Sequence, residues 1–116
     1  MFGFFGNDMD YNWHPTLKTQ YNNPTYHFVF TYKHDYSSTK GYRKIYIDGA
    51  YKKGGSCDKY QYDGSDTRLL IGRQYGPDKE NGLGFSGNIL YARGYPKQLS
   101  STEISNAWQA AREQFK

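Results

Sequence analysis

Few residues in this chain have the spacing that catalysis requires. The candidates for acid–base chemistry are His14, His27, His34, Glu80, Glu103 and Glu113. No histidine has a serine or cysteine at a motif spacing, and the glutamates do not form the facing carboxylate pair that glycoside hydrolysis needs. No phosphate-binding loop pattern occurs either. The sequence therefore predicts that the protein is not an enzyme. His27 alternates with apolar residues, so we expect a buried, hydrogen-bonded imidazole there.

Aromatic residues in the irregular stretches suit sugar binding. A sugar binds when its apolar C–H face stacks on an aromatic ring while Asn, Asp or Arg side chains hydrogen-bond its hydroxyl groups. Such residues are Tyr11, Trp13, Tyr36 and Tyr75, accompanied by Asn12, His14, Asp35 and Arg73. The predicted ligand site is drawn from Tyr11, Trp13, His14, Tyr36, Arg73 and Tyr75. For each tyrosine taken singly, half-buried packing is the alternative.

A second candidate site lies near the start of the chain, at Asn7, Asp8 and Asp10. Their oxygen atoms are the ligand type that Ca²⁺ prefers, and calcium is the one cofactor that the sequence suggests. Asn and Asp directly after a strand are also ordinary turn formers. Both interpretations stay open at this point.

Composition limits the class of protein. A chain of 116 residues with 13 Tyr, 7 Phe, 2 Trp and 13 Gly predicts a single domain, 1–116, of short strands and tight turns. The net charge of +4 is spread along the chain, which favours a solvated basic surface over a specific nucleic-acid partner. The single cysteine, Cys57, excludes an internal disulfide, and its glycine-rich surroundings predict a partly exposed thiol. No segment has the length and apolarity of a membrane span, and residues 1–6 do not resemble a secretory signal.

Hydrophobic alternation predicts the strands. The chain is organised around residues 25–53, where Phe28, Phe30 and Tyr32 alternate with His27, Val29 and Thr31, and where Asp48-Gly49 predicts a type I′ hairpin turn. Strands are predicted at about 2–5, 25–33, 43–48, 50–53, 67–73 and 85–95.

The last part of the chain changes to helical periodicity. Ser100 and Glu103 fit a capping box, and the apolar residues that follow at helical spacing are Ile104, Ala107, Trp108 and Ala111. A helix is predicted over about 101–114. We expect it to pack on a sheet edge or a loop, with binding to a partner as the alternative.

Five short motifs in order carry a family resemblance. They are Tyr26–Tyr32 (YHFVFTY), Arg43–Gly49 (RKIYIDG), Leu70–Arg73 (LIGR), Phe85–Ile89 (FSGNI), and Leu99-Ser100 with Glu103-Ile104. Together they resemble the C-terminal half of a concanavalin A-like, laminin G-type domain, and the resemblance covers nearly the whole chain. Two positions depart from the family pattern: Tyr26 stands where a Trp is usual, and Asn88 where an acidic residue is common.

The resemblance implies an all-β fold, an antiparallel jelly-roll β-sandwich with a short C-terminal α-helix. Family members usually have several strands before the one that begins at Phe2, so the sandwich is either compact or truncated. A half sandwich leaves an apolar sheet face uncovered, and we expect a homo-oligomer or a larger assembly to complete the sheet.

The expected function is a non-catalytic module, lectin-like and extracellular or on a virion or cell surface, that binds a glycan or a protein surface through its loops. A structural or assembly role, with the sandwich and the helix used for oligomerisation, is the alternative. The family's glucanase branch is less favoured, because its Glu-x-Asp-x-x-Glu pattern does not occur in this chain.

Overall fold

The computed structural model describes Met9, residues 25–58, Ile71 and residues 87–115. Within these ranges the chain forms three strands and one helix: β1 (Phe28–His34), β2 (Lys40–Ile47), β3 (Ala50–Asp58) and α1 (Ser101–Gln114). The chain divides into two compact units. The three strands and the helix belong to the unit made of Met1–Tyr60 and Tyr95–Lys116, and the other unit is Gln61–Gly94.

The three strands form one antiparallel sheet in the order β1-β2-β3. In β1, aromatic residues alternate with Val29 and Thr31, and β2 ends in Ile45, Tyr46 and Ile47; these residue types favour strands. β3 is longer than predicted: it continues through Gly54 and Gly55 to Asp58 and pairs with β2, with a register shift at Lys52. The strand predicted at 50–53 is therefore too short by five residues. The prediction of an exposed Cys57 is also wrong: its side chain is buried, because it lies inside a paired strand, opposite Gly41.

The hairpin turn between β2 and β3 confirms the Asp-Gly prediction. Asp48 and Gly49 both have positive φ angles, 52° and 75°, as a type I′ turn requires. The turn is also tied to the residue before β1: the Asp48 N–H donates to the His27 carbonyl oxygen at 2.9 Å, and the His27 N–H donates to Asp48 Oδ1 at 2.9 Å. These two bonds continue the β1–β2 pairing by one residue beyond Phe28 and Ile47, at the end next to the hairpin turn.

Alternation along the strands gives the sheet two distinct faces. The aromatic face carries Phe28, Phe30, Tyr32 and His34 of β1 opposite Ile47, Ile45, Arg43 and Gly41 of β2. The lysine face carries Val29, Thr31 and Lys33 of β1, Lys40, Tyr42, Lys44 and Tyr46 of β2, and Tyr51, Gly54, Ser56 and Asp58 of β3. The small core formed by Met9, Ile45 and Ile47, with Tyr26 packed against it, lies on the aromatic face.

Helix α1 confirms the C-terminal prediction, including its start. The Glu103 N–H donates to Ser100 Oγ at 3.2 Å, and the Ser100 N–H donates to Glu103 Oε2 at 2.8 Å, which completes the capping box. Ile104 is fully buried, so the apolar stripe packs inward. The helix touches the sheet at the hairpin end: the Trp108 ring stacks on the His27 ring, with 6.2 Å between centroids and 21° between planes.

Residues 88–95 differ from the sequence prediction. A strand is predicted over 85–95, but residues 88–95, which are described, belong to no strand. Their large side chains stay exposed: Ile89, Leu90, Tyr91 and Tyr95. The pattern of side chains indicates only that a segment favours a strand. A strand also requires a neighbouring segment whose backbone hydrogen-bonds to it. Ile71, from the predicted strand 67–73, lies in a bend, and the predicted strand 2–5 falls outside the described residues. The described residues thus form a sheet and a helix, without the full jelly-roll sandwich.

Candidate ligand-binding surface on the first strand

A series of rings runs along β1 and into the loop that follows it. Every second residue from position 26 to position 36 is an aromatic residue or a histidine; these six, named the aromatic strip, are Tyr26, Phe28, Phe30, Tyr32, His34 and Tyr36. Within the strand, alternate side chains project from the same face about 6.6 Å apart. Three strip members are well exposed, Phe28 at 44%, Phe30 at 46% and Tyr36 at 93%. The strip therefore presents ring surface to solvent along the strand.

The rings of the strip contact one another. Centroids of Tyr26 and Phe28 lie 6.4 Å apart, those of Tyr32 and His34 6.3 Å, and those of His34 and Tyr36 4.6 Å, with tilted or edge-to-face geometry throughout. The Tyr32 hydroxyl also hydrogen-bonds His34 Nδ1 at 3.2 Å. Edge-to-face contact is a favoured arrangement for aromatic pairs. These contacts join Tyr26 to Phe28 at one end of the strip and Tyr32, His34 and Tyr36 at the other.

Gly41 makes room for the Tyr32 ring. A Cβ atom at Gly41 would lie 2.4 Å from Tyr32 Cε2, so the ring lies directly across the β2 backbone. Aromatic rings that cover a cross-strand glycine replace the packing that the glycine lacks. Because position 41 is a glycine, the Tyr32 ring can lie close to the β2 backbone.

The loop after β1 is held together by Asp35. Its Oδ1 accepts bonds from the Ser37 N–H at 2.9 Å and the Ser37 Oγ at 2.6 Å, and its Oδ2 accepts from the Ser38 Oγ at 2.8 Å. The Ser37 and Ser38 hydroxyls and the Ser37 backbone N–H lower the pKa of Asp35 below its usual range. The sequence predicts that Asp35 hydrogen-bonds a sugar hydroxyl. In the structure its main bonds are internal, so it positions the loop on which Tyr36 stands.

The two serine hydroxyls are the polar groups next to Tyr36. Each donates its hydrogen to Asp35, and a hydroxyl oxygen that donates one bond can still accept others. Ser38 Oγ already accepts the Lys40 N–H at 3.1 Å, whereas no described residue donates to Ser37 Oγ. Beyond the loop, Lys40 forms an ion pair with Asp58 of β3. The loop after β1 thus combines an exposed tyrosine ring with serine hydroxyl groups whose oxygen atoms can accept hydrogen bonds. Sugar-binding sites use this combination.

Of the predicted ligand residues, the structure describes Tyr36. It lies at the end of the strip and is exposed. Five other predicted ligand residues lie outside the described residues: Tyr11, Trp13, His14, Arg73 and Tyr75. The candidate calcium ligands Asn7, Asp8 and Asp10 lie outside them as well. Within the described ranges, no group of three or more His, Cys, Asp or Glu side chains is arranged to hold a metal ion.

Sequence reasoning missed Phe28 and Phe30 as surface residues, because alternating large apolar residues normally indicate a core face. His27 was expected to be buried, and its ring is half-buried between the hairpin turn and Trp108. Burial lowers the pKa of His27 below its ordinary value of 6.5, and the Asp48 carboxylate partly opposes this shift. Asp48 and Trp108 thus place His27 in the contact between the sheet and the helix, away from the strip.

Comparison with known proteins identifies the family. A laminin G-type family model, described as the concanavalin A-like lectin/glucanases superfamily, matches residues 2–105. The chain belongs to this superfamily. Its members include both lectins and glucanases, and laminin G-like domains are mostly non-catalytic binding modules. Neither the curated proteins nor the solved structures include a match to this chain. Over the described residues, the structure contains no helix of sufficient length and apolarity to cross a bilayer.

Proposed function

We propose that this protein is a non-catalytic extracellular module that binds a glycan along the aromatic strip and the loop after it. The observation that carries the proposal is the exposure of Phe28 and Phe30 on β1 and of Tyr36 in the loop that follows it. A soluble protein normally buries such residues or uses them, and a line of exposed rings fits a linear ligand. Laminin G-like domains often bind glycans or proteins and are typically extracellular, which supports the same assignment.

The mechanism of binding follows from the chemistry of sugars. A pyranose ring has an apolar C–H face that stacks on an aromatic ring, and hydroxyl groups around its edge that need hydrogen-bond partners. Phe28 and Phe30 supply ring surface without polar groups, while Tyr36 adds a phenolic hydroxyl. Ser37 Oγ is placed to accept a sugar hydroxyl at the same end. Because the loop is already hydrogen-bonded, binding orders few additional side chains.

Titration of the full chain against neutral oligosaccharides identified on a glycan array tests the proposal. Tyr36→Ala removes an almost fully exposed ring, so it should leave folding unchanged and weaken binding about five- to tenfold, or about 1 kcal/mol. Tyr95→Ala is the matched control, because Tyr95 is an exposed tyrosine outside the strip. Equal affinities for the wild type and Tyr36→Ala, or no binding to any glycan on the array, would rule out the strip as a glycan site.

A structural or assembly role is the second candidate. The exposed apolar side chains of Ile89 and Leu90 favour it, since adjacent exposed aliphatic residues commonly mark contacts with other chains. In this proposal a homo-oligomer or a larger assembly covers them. Light scattering gives the test: a stable oligomer whose mass does not change on dilution, together with a blank glycan array, would favour assembly over sugar recognition. A monomeric mass would count against it.

Calcium binding at Asn7, Asp8 and Asp10 stays a proposal that rests on ligand chemistry alone. A ligand that binds only the folded state raises the melting midpoint. If calcium is bound, EDTA should lower the thermal midpoint and added Ca²⁺ should restore it. A midpoint that does not move with EDTA would remove this proposal without affecting the aromatic strip.

A further inference from the structure

Helix α1 contacts the sheet through a histidine that lies just outside the strands. His27, the residue before β1, continues the lysine face beyond Val29. Its ring stacks on the Trp108 ring of α1, with 6.2 Å between centroids and 21° between planes. Trp108 also packs over Gly49 of the hairpin turn, where a Cβ atom would lie 3.4 Å from Trp108 Cβ. Two rings stacked beside the turn thus form a contact between α1 and the hairpin end.

The hairpin turn holds both backbone groups of His27. Its N–H donates to Asp48 Oδ1 at 2.9 Å, and its carbonyl oxygen accepts the Asp48 N–H at 2.9 Å. The Nδ1 atom of the ring has no contact with solvent. Because the backbone of His27 is fixed, a charged ring regains water most simply when Trp108 moves away.

Protonation of His27 places a positive charge where water is largely excluded. The ring is half-buried, and burial lowers the pKa of His27 below its ordinary value of 6.5, although the Asp48 carboxylate partly opposes this shift. An indole face attracts cations, but a centroid distance of 6.2 Å lies at the outer limit of a cation–π contact. The closed contact therefore favours the neutral imidazole.

On the sheet, one carboxylate acts on His27. Asp48 is that group, and it favours the protonated ring. The next residues of β1 and β2 on the lysine face are Val29 and Tyr46, which supply no charge. Protonated His27 can therefore pair with Asp48, but this pairing does not replace the water that the stacked indole excludes.

On the helix, the charged groups are Glu103, Arg112 and Glu113. Arg112 follows Trp108 by one helical turn, so it lies on the same side of α1, and it is exposed. Its cation gives no stabilisation to a second positive charge. Glu103 is bonded within the capping box, and Glu113 lies five residues beyond Trp108, on a different side of the helix. The helix thus offers no described carboxylate on the side that meets His27.

We propose that the contact between His27 and Trp108 is acid-sensitive: protonation of the imidazole releases α1 from the hairpin end while the three strands stay paired. The pairing of β1 with β2 runs from Phe28 to His34 and does not use the His27 side chain. Local opening of a terminal helix requires less free energy than opening of a paired sheet. This inference goes beyond the proposed function, since it concerns the helix and not the aromatic strip.

Linkage gives the direction of the pH effect. Because the pKa of His27 is lowered in the folded chain, the stabilisation is complete above 6.5 and is lost as pH falls below this value. Uptake of one proton changes the opening equilibrium by at most about tenfold per pH unit. Asp and Glu side chains of ordinary pKa stay largely ionised down to about pH 5, which separates this effect from their protonation.

The test is amide hydrogen exchange of the full chain, followed by NMR from about pH 8 to about pH 5. Each observed rate is compared with the intrinsic rate at the same pH, which gives a protection factor. Protection in α1 should fall below pH 6.5 by up to about tenfold per pH unit, while amides of β2 keep their protection.

Two matched variants identify the group that titrates. His27→Phe keeps a ring beside Trp108 and cannot be protonated, so the protection of α1 should no longer depend on pH. His34→Phe makes the same change at the other end of β1, and it should keep the wild-type pH dependence.

Asp48→Asn is a further variant that acts on His27 without changing it. Asn-Gly also favours a type I′ turn, and the amide oxygen can still accept the His27 N–H. The variant lacks the carboxylate that favours the protonated ring, so α1 should lose more protection at about pH 5 than it does in the wild type.

Three results would overturn the proposal: α1 protection that does not change with pH in the wild type, the same pH dependence in His27→Phe as in the wild type, or an equal loss of protection in α1 and β2. The last result would show that acid destabilises the whole unit. The wild-type measurement needs no variant, so it decides the question even where His27→Phe does not fold.

Discussion

The two ends of the three-stranded sheet are built differently. At the hairpin end, the turn is bonded to His27, and Trp108 of the helix packs against Gly49, with Ile45, Tyr46 and Ile47 buried nearby. At the loop end, the connection between β1 and β2 is exposed, and its hydrogen bonds come mainly from the Asp35 side chain.

The difference shows how one sheet can separate stability from recognition. Backbone and ring packing at the hairpin end resist change, because a substitution there displaces several neighbours. At the loop end, Tyr36 is 93% exposed and its one described ring contact is with His34, so exchanging it should disturb little packing. The hairpin end is expected to set the stability of this unit, and the loop end to set its ligand.

Gly49→Ala should have the largest effect. The new Cβ atom would lie 2.9 Å from Trp108 Cδ1, and the residue would keep a φ of 75° that alanine disfavours. Strain and steric conflict together should lower the free energy of unfolding by about 2–4 kcal/mol, measured by urea denaturation. Gly94→Ala is the matched control, because nothing lies within 4 Å of its new Cβ atom, and its midpoint should not move. Similar losses of stability in Gly49→Ala and Gly94→Ala would contradict the prediction that the hairpin end sets the stability of this unit.

Ser100→Ala should have a smaller effect, because it removes one half of the capping box that starts the helix. Loss of an N-cap costs about 1 kcal/mol, and the loss is measured in the same urea experiment. If Ser100→Ala and wild type unfold at the same urea concentration, the helix does not contribute to the stability of the hairpin end.

The same cap predicts a pH dependence. A hydrogen bond from Lys97, then the Ser100 backbone N–H, lower the pKa of Glu103 to about 2. Because the folded-state pKa is depressed, the stabilisation is complete above the ordinary value of 4.5 and is lost as pH falls toward 2. Glu103→Gln should therefore flatten the pH dependence of the unfolding midpoint between pH 5 and pH 2. An unchanged slope would contradict the assignment.

Asp35→Asn should have the smallest effect on stability, since the carboxylate is at the surface. Its effect should be local, because the bonds to Ser37 and Ser38 organise the loop. The bonds are checked by a pH titration of the wild-type protein followed by NMR. Because the pKa of Asp35 is lowered, the Ser37 amide resonance should shift only at a pH below the usual Asp range. A shift at the ordinary Asp pKa would show that these bonds are absent in solution.

Local chemistry accounts for the features that the sequence predicted correctly. Asp48-Gly49 predicts its turn because few other dipeptides accept two positive φ angles, and Ser100 with Glu103 predicts the helix start because the capping box lies within four residues. Long-range pairing explains the errors. β3 extends through Gly54 and Gly55 because β2 pairs with it, and 88–95 stays out of a strand although its side chains favour one.

The sequence by itself determined the alternation of β1, the hairpin, the capped helix and the family, since each depends on neighbouring residues or on their order. Only the tertiary structure decided which rings are covered. Phe28 and Phe30 have the composition of a core, but burial depends on what packs against them, and they remain nearly half exposed. The same holds for His27, whose ring meets Trp108 of the helix only in the folded chain. Residues distant in sequence become neighbours only through tertiary packing, so this contact could not be predicted from composition.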